Sequence, residues 1–225
     1  MYFDFESMPY IAIIGDIKDS KKIANRNEVQ KKLNKVLEMI NETYSKSISA
    51  NFVITLGDEF QGVLSCGEEI MNILFDIEHN MYPVKIRFGI GIGKITTDIN
   101  REMSIGADGP GYYKAREAIE FLKESEKRKR VNPSDIFLKI EGDNSPQAKA
   151  INTIFSLMKT VKDAWSDRQR EIIWDAMEHK DNQIDIANRF GIKQSSVQKG
   201  LSKGKYYAYI DAAETINEII GKVRR

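Results

Sequence analysis

Apolar residues between positions 10 and 140 occur either in short runs or at helical spacing, and the two patterns predict strands and helices. An almost wholly apolar run at residues 10–17 is typical of a strand buried on both faces. Apolar residues at 26–45 recur every three or four positions, which predicts an amphipathic helix. The remaining pattern predicts a hairpin at 53–64, a helix at 67–80, a strand at 84–93, a helix beginning near 112 and a last strand at 135–140.

This order of elements predicts an α+β domain. Strand, helix, strand, strand, helix, strand form the βαββαβ core of a ferredoxin-like sheet, in which the first strand lies next to the hairpin. The polar segment at residues 141–146 is typical of a linker. We therefore expect an α+β domain at residues 1–145 and an all-α domain at residues 146–225.

Three acidic residues are predicted to meet at the end of this sheet. Asp58 and Glu59 stand at the tip of the hairpin, and Asp16 ends the first strand. Adjacent carboxylates repel one another, so they need either full solvation or a cation. The sequence thus predicts one cation site, with a solvated turn as the alternative.

Glycines mark two further places where a ligand or a close contact is expected. In the strand at 84–93 they alternate with apolar residues, which favours either a packing device or close approach by another backbone or a flat ligand. The Gly-rich loop at 104–111 opens a helix that carries Lys114 and Arg116. Free backbone N–H groups at a helix start bind anions, and the alternative is an ordinary turn with a helix cap.

Composition narrows the class of protein. At 225 residues, 41% of them hydrophobic, the chain is long enough for two domains with cores. No apolar run approaches the ~20 residues of a membrane span, and no leader pattern begins the chain, so we expect a soluble cytoplasmic protein with no membrane partner. Residues 1–148 carry a net charge of −3 and residues 149–225 one of +4, which favours an anionic partner for the C-terminal domain.

Several short segments resemble known families. Leu56-Gly57-Asp58-Glu59-Phe60 resembles the GGDEF signature of diguanylate cyclases without its first glycine, and Asp16 falls where that family keeps its other metal-binding aspartate. Ala107-Asp108 and Tyr113-Lys114-Ala115-Arg116 resemble the same family's Ala-Asp and Leu-Tyr-x-Ala-Lys pattern, with Arg116 replacing the lysine. The whole chain resembles the SatD family more closely, through Ile-Ile-Gly-Asp-Ile…Asp-Ser near its start and Gly-Asp-Glu-Phe-Gln-Gly at the hairpin.

The resemblance implies a palm-type fold shared with nucleotidyl cyclases and polymerases. It assigns a nucleotide to Gly57, Lys114 and Arg116, and a Mg²⁺ or Mn²⁺ ion to Asp16, Ile17, Asp58 and Glu59. The three acids are the catalytic residues if the domain is an enzyme. Leu56 replaces the glycine against which the nucleotide lies in diguanylate cyclases, which favours a palm that binds a nucleotide without converting it.

The segment at residues 166–203 resembles the helix-turn-helix of sigma-factor-like and winged-helix regulators. Ser166 is placed to cap a helix, Gly191 to make the turn, and Val197 and Leu201 to face inward from the last helix. The polar residues expected to contact DNA are Gln194, Ser195, Ser196, Gln198, Lys199 and Lys203. The alternative is a helical hairpin that binds no DNA. An apolar period over residues 209–220 predicts either core or a dimer interface, and we expect a homodimer.

These patterns together favour a DNA-binding transcriptional regulator whose palm domain senses a nucleotide with Mg²⁺. The first alternative is a nucleotidyl cyclase or nucleotidyltransferase with a carboxylate-bound two-metal site. The second is a palm retained only as a dimerising scaffold. Leu56 favours the regulator over the enzyme, and the three acids argue against the scaffold because clustered carboxylates cost stability.

Overall fold

A computed structural model of the chain describes residues 9–128, 134–142 and 146–223. The strands are β1 (Tyr10–Ile17), β2 (Ile48–Leu56), β3 (Glu59–Leu64), β4 (Ile86–Gly93) and β5 (Ile136–Ile140). The helices are α1 (Arg26–Thr43), α2 (Ile70–Met81), α3 (Pro110–Lys127), α4 (Pro146–Asp163), α5 (Asp167–His179), α6 (Gln183–Phe190), α7 (Gln194–Lys203) and α8 (Tyr206–Ile220), with a short 3-10 helix at Ser20–Lys22. Within the described ranges, no helix combines the length and apolar character that a membrane crossing requires.

The strands form one five-stranded sheet in the order β2-β3-β1-β4-β5. β1 is central and runs antiparallel to both β3 and β4. β2 pairs with β3 as an antiparallel hairpin, and β5 lies parallel to β4. The predicted α+β class and the predicted order of elements are confirmed. β5 adds a fifth strand beside β4, and the ferredoxin-like assignment stays a prediction.

The central strand is buried on both faces, as its continuous apolar run predicts. Tyr10, Ala12 and Ile14 belong to a core cluster with residues of α3. The alternate residues Ile11 and Ile13 are fully buried as well. Because successive side chains of a strand point to opposite faces, β1 has no face left for water. Its polar residue, Asp16, is therefore drawn into the protein with the strand.

The glycines of β4 allow the backbone of α3 to lie directly against the sheet. A Cβ atom placed on Gly91 would lie 2.0 Å from the carbonyl oxygen of Gly111 and 2.3 Å from the amide nitrogen of Ala115. One on Gly89 would lie 2.4 Å from the carbonyl oxygen of Ala115. Of the two sequence hypotheses, close backbone approach explains the pattern. The small face of β4 accommodates a helix and leaves no room for a flat ligand there.

The chain divides into two compact units. One runs to Ser156 and includes the chain from Ile216 onward, and the other spans Leu157–Thr215. Both divisions fall inside helices, α4 and α8. Of the linker predicted at residues 141–146, residues 143–145 lie outside the described residues. The domain boundary between residues 145 and 146 stays a prediction.

The helices of the second unit begin and end where the sequence predicts. Ser166 accepts a hydrogen bond from the backbone of Gln169, whose side chain returns one to the Ser166 backbone, which forms a capping box at the start of α5. Gly191 ends α6 with a φ of 60°, a left-handed conformation that favours glycine. Val197 and Leu201 of α7 are buried. These contacts fix the turn between α6 and α7.

The apolar stripe of α8 is used within the chain. Tyr209, Ala213, Ile216 and Ile220 are all buried. The ring of Tyr209 packs edge-to-face against Trp165, with ring centroids 5.0 Å apart. The stripe is therefore buried within the chain, as the core alternative predicts, and the homodimer stays a prediction that this surface does not support.

We predict that Gly91→Ala lowers the free energy of unfolding by ~3 kcal/mol, because its Cβ would collide with the backbone of α3. Urea denaturation followed by circular dichroism measures the change. Gly200→Ala is the control: its Cβ would lie 3.2 Å from the flexible end of Ile172, and alanine favours the helix by about 1 kcal/mol. If Gly91→Ala were as stable as the control, the backbone of α3 would be able to move away from β4 at little cost in free energy.

Candidate functional site

Three charged residues lie side by side at one end of the three central strands of the sheet. In the strand register, Asp16 of β1 is opposite Glu59 of β3 on one side and Arg87 of β4 on the other. Residues opposite one another on neighbouring strands share a face of the sheet. Asp16 is 4% exposed and Glu59 is 7% exposed, so both carboxylates are removed from water. Each therefore needs a partner.

Helix α3 supplies partners for this row. Arg116 grips Glu59 with both terminal nitrogens, at 2.5 and 2.7 Å, and Lys123 Nζ lies 2.5 Å from Asp16 Oδ1. Arg87 donates to Asp16 and, at 2.8 Å, to Oε2 of Glu126. Positions 116, 123 and 126 fall on one side of a helix, so a single face of α3 supplies all three charged side chains that contact the row.

Two further residues extend the cluster. Lys18 Nζ lies 2.6 Å from Glu126 Oε1 and also bonds Asp135. We call the resulting group the ion-pair network. Its members are four acids, Asp16, Glu59, Glu126 and Asp135, and four bases, Lys18, Arg87, Arg116 and Lys123. Acids and bases are equal in number, so the network is neutral as a whole.

The pKa values in the network follow from these pairings. Burial lowers the pKa of Arg87, but its bonds to Glu126 and Asp16 outweigh burial and hold the pKa above its ordinary value. For Glu126, burial raises the pKa, but hydrogen bonds from Arg87 and Lys18 outweigh burial and hold it below the ordinary value. The hydrogen bonds to Glu59 raise the pKa of Arg116. All three groups are thus held in their charged forms at neutral pH.

Asp58 belongs to a different environment from its neighbour Glu59. It lies in the turn between β2 and β3, and its carboxylate accepts a hydrogen bond from Ser20 of the 3-10 helix. The Ile17 N–H donates to the backbone oxygen of Asp58 at 3.0 Å. Asp58 and Glu59 therefore take partners from separate segments, Asp58 from the segment after β1 and Glu59 from α3.

A pocket of about 320 Å³ lies beside Asp58 at the start of α1. Its lining residues are Ile17, Ser20, Ile23, Arg26, Asn27, Val29, Gln30, Gly57 and Asp58. Gln30 donates its side-chain amide to the Gly57 oxygen at 2.7 Å, which ties α1 to the hairpin turn. The residue before the helix, Asn25, makes no side-chain cap, so it does not occupy the amide groups of the first turn.

The structure brings some of the predicted site residues together and separates others. Asp16, Glu59 and Arg116 meet in the ion-pair network. Gly57, Asp58 and Ile17 line the pocket. Lys114 lies with neither group, because its ammonium binds Glu117 at 2.9 Å and 3.1 Å.

The Gly-rich loop before α3 bonds to the protein itself. The Gly111 N–H donates to the Lys94 oxygen at 3.0 Å, and the Gly109 N–H donates to the Asp108 side chain at 2.9 Å. Both amides therefore have acceptors within the chain. In this arrangement the loop is a helix cap rather than an anion cradle.

The predicted Mg²⁺ or Mn²⁺ ion does not fit these residues as they are arranged. Among the residues that the structure describes, no group of three or more acidic, histidine or cysteine side chains is placed to hold a metal. Two of the predicted ligands, Asp16 and Glu59, already bind Arg87, Lys123 and Arg116. Asp58, the third, bonds Ser20 instead.

Sequence reasoning identified Arg116 but missed the other cations of the network. It identified Ile17, Gly57 and Asp58 but missed the part of the pocket lining that α1 supplies. Lys123 and Glu126 follow Arg116 by seven and ten positions, a helical spacing that marks one face. Arg87 stands out as a charge in an otherwise small, apolar strand. For Arg26, Asn27 and Gln30 the only available signal was their place at the start of a helix.

On the second unit, α7 presents the predicted DNA-contact residues to solvent. Gln194, Ser195, Ser196, Gln198, Lys199 and Lys203 are all exposed. Gln194 donates to the side chain of Gln183 at 2.6 Å, which ties the start of α7 to α6. A groove of about 460 Å³ runs beside this helix, with lining residues Ser166, Arg168, Gln169, Ile172, Ile192, Ser196, Lys199, Gly200 and Lys203. It contains three cations and no acid.

These features define an α+β protein with a pocket of mixed polar and apolar lining at the end of its central strands and a helical unit with a basic groove. The sequence profile of the SatD family matches residues 10–220. The match covers most of the chain, and the chain belongs to the SatD family. No curated protein matches it.

Three solved structures are similar to part of the chain. The catalytic core of a rhodopsin-guanylyl cyclase with converted specificity, in complex with ATPαS, is 18% identical with a TM-score of 0.37, over 49% of this chain and 71% of that one. A bacterial light-regulated adenylyl cyclase is 14% identical with a TM-score of 0.41, over 58% and 75%. A second structure described in the same way is 12% identical with a TM-score of 0.40, over 58% and 43%. At these values the similarity concerns part of the fold, and nothing about activity follows from it.

We predict that Arg116→Met lowers the free energy of unfolding by roughly 1–3 kcal/mol, because it leaves the buried Glu59 carboxylate without its cation. Lys114→Met, which removes the same charge from a half-exposed pair with Glu117, should cost about 0.5 kcal/mol or less. Urea denaturation of both variants gives the comparison. Equal losses would mean that burial adds nothing to the Arg116 pair.

Proposed function

We propose that the protein binds a nucleotide in the pocket beside Asp58. The observation that carries this proposal is the chemistry of the lining. At about 320 Å³ the pocket is within the range of small-molecule sites. Asn27 and Gln30 carry amides and Asp58 a carboxylate, the groups that hydrogen-bond the edges of a base or a ribose.

The start of α1 suits the phosphates of such a ligand. The first amides of an 18-residue helix face an anion favourably, and Arg26, the first residue of α1, adds a guanidinium to the lining. Lys21 is exposed on the 3-10 helix that carries Ser20, whereas the neighbouring Lys22 pairs with Asp19 at 2.8 Å. The start of α1 thus carries Arg26 beside the amides of Asn27 and Gln30, with Glu28 as the acid of its first turn. We propose an anionic nucleotide rather than a neutral nucleoside on the basis of Arg26 and the helix amides.

A nucleotide site is common to both functions that the sequence predicts, a sensor and a nucleotidyl cyclase or transferase. The three acids at the strand ends favour the enzyme, since carboxylates are the metal ligands of two-metal catalysis. Their pairing with arginine and lysine favours the sensor. We propose the sensor, in which the nucleotide is bound and not converted.

We predict that ATP or GTP raises the melting temperature of the protein. A ligand present at about 100 times its dissociation constant stabilises the native state by about 2.7 kcal/mol. Asn27→Ala should weaken binding about tenfold through the loss of a hydrogen bond. Asn34→Ala, an exposed change on the same helix outside the pocket, should leave binding unchanged. Thermal unfolding and titration calorimetry give both values.

The same samples separate the sensor from the enzyme. Chromatography of the incubated nucleotide should recover it intact. A new nucleotide product would show that the protein is an enzyme rather than a sensor. Equal nucleotide affinity of wild type and Asn27→Ala would show that the nucleotide binds outside this pocket. Stabilisation by neither ATP nor GTP would remove the proposed function of the pocket.

We also propose that the second unit binds DNA through α7, so that the protein is a nucleotide-responsive DNA-binding regulator. The observation that favours this is the exposed face of α7 beside a groove lined by Arg168, Lys199 and Lys203 and by no acid. In a helix-turn-helix the second helix enters the major groove and neighbouring cations bind phosphates. Gln198 is exposed on the same helix, next to Asn182 and Ile184 of the α6 side, and would contact base edges from there.

We predict that Lys203→Ala weakens binding to all DNA sequences and lowers the slope of log affinity against log salt by ~0.9, the value for one lost phosphate contact. Gln198→Ala should instead relax sequence preference. Lys35→Ala, an exposed lysine of α1 with the same change in charge, is the control and should keep the wild-type slope. Binding titrations at several salt concentrations decide between them. A Lys203→Ala slope equal to that of wild type would exclude this face.

A further inference from the structure

The positive groups of the ion-pair network lie where a metal ion would have to lie. Asp16 and Glu59 face each other on neighbouring strands, an arrangement that brings two carboxylates within reach of one cation. In this protein the cations that reach them are the guanidinium groups of Arg87 and Arg116 and the ammonium group of Lys123. These three positive charges exceed the two negative charges of Asp16 and Glu59, and one of them, Arg87, also pairs with Glu126.

A divalent ion can bind these carboxylates only by displacing the side chains that already pair with them. Arg87 is held by Glu126 as well as by Asp16. Arg116 makes two parallel bonds to Glu59, the geometry in which arginine binds carboxylate best. A metal would have to shed water, break these bonds and leave Arg87, whose side chain is 12% exposed, without Asp16.

Resting on the nucleotide-binding function proposed above, we propose that Arg87, Arg116 and Lys123 replace the divalent metal at this site and that the protein binds its nucleotide without one. Asp16 and Glu59 are positioning residues in this arrangement: they hold the cations in place at the ends of β1 and β3. The pocket itself begins one residue further along each strand end, at Ile17 and Asp58.

Thermal unfolding of the full chain tests the inference in two arms. In the first, ATP and GTP are compared in excess EDTA and in millimolar Mg²⁺. We expect the same shift in melting temperature in both conditions and no shift with Mg²⁺ alone. A shift that requires Mg²⁺, or a rise with Mg²⁺ alone, would overturn the inference. If neither nucleotide acts in either condition, the proposed function fails and the second arm still decides the inference.

The second arm removes the cations that pair with Asp16 and Glu59, and it needs no nucleotide. The double variant Arg116→Met, Lys123→Met removes two of the three cations, and Mn²⁺ alone should then raise its melting temperature by several degrees while leaving wild type unchanged. Lys114→Met, Lys139→Met is the matched control, because it removes two charges from the half-exposed Glu117 and should show no response. A folded Arg116, Lys123 variant that ignores Mn²⁺ would contradict the inference. If that variant does not fold, the response of wild type to Mn²⁺ alone decides.

Discussion

The close contact between α3 and the centre of the sheet is the constraint on which the rest of this unit depends. The glycines of β4 let the helix backbone reach the sheet at Gly91, nearer than any side chain would permit. Apolar residues of β1 and α3 fill the interface at one end. At the other end the same geometry brings Arg116 and Lys123 onto Glu59 and Asp16. The contact between α3 and β4 thus determines both the packing of the core and the cations that pair with Asp16 and Glu59.

Strand alternation explains why the neighbouring acids Asp58 and Glu59 have different partners. Glu59 follows Asp58 directly, and at the start of a strand successive side chains take opposite directions. Glu59 meets α3, whereas Asp58 meets Ser20 and the start of α1. A pocket with hydrogen-bonding groups and a neutral network therefore lie back to back at the strand ends. The nucleotide site that we propose uses the first and leaves the second as support.

The sequence was sufficient for what depends on local pattern. Burial of β1 followed from its continuous apolar run, and the capping box at Ser166 and the turn at Gly191 followed from residue type. The sequence was insufficient for predicting contacts between segments that are distant along the chain. Arg87 lies opposite Asp16 only because of strand register, and Lys123 reaches it only because α3 crosses at that point. The three acids suggested a metal because nothing local to them showed these cations. The stripe of α8 suggested a dimer because its cover, including Trp165, lies far away in sequence.

The neutrality of the ion-pair network has an evolutionary consequence. Each of its charges is matched by a partner on another element, from Lys18 and Asp135 at one end to Glu59 and Arg116 at the other. A single replacement leaves its partner without a counter-charge, and a second replacement at the partner position restores the balance. Related chains should consequently exchange these positions as pairs, so that an acid and its base covary or are lost together to apolar residues. Such paired changes would tie segments that stand more than a hundred residues apart, as Lys18 and Asp135 do.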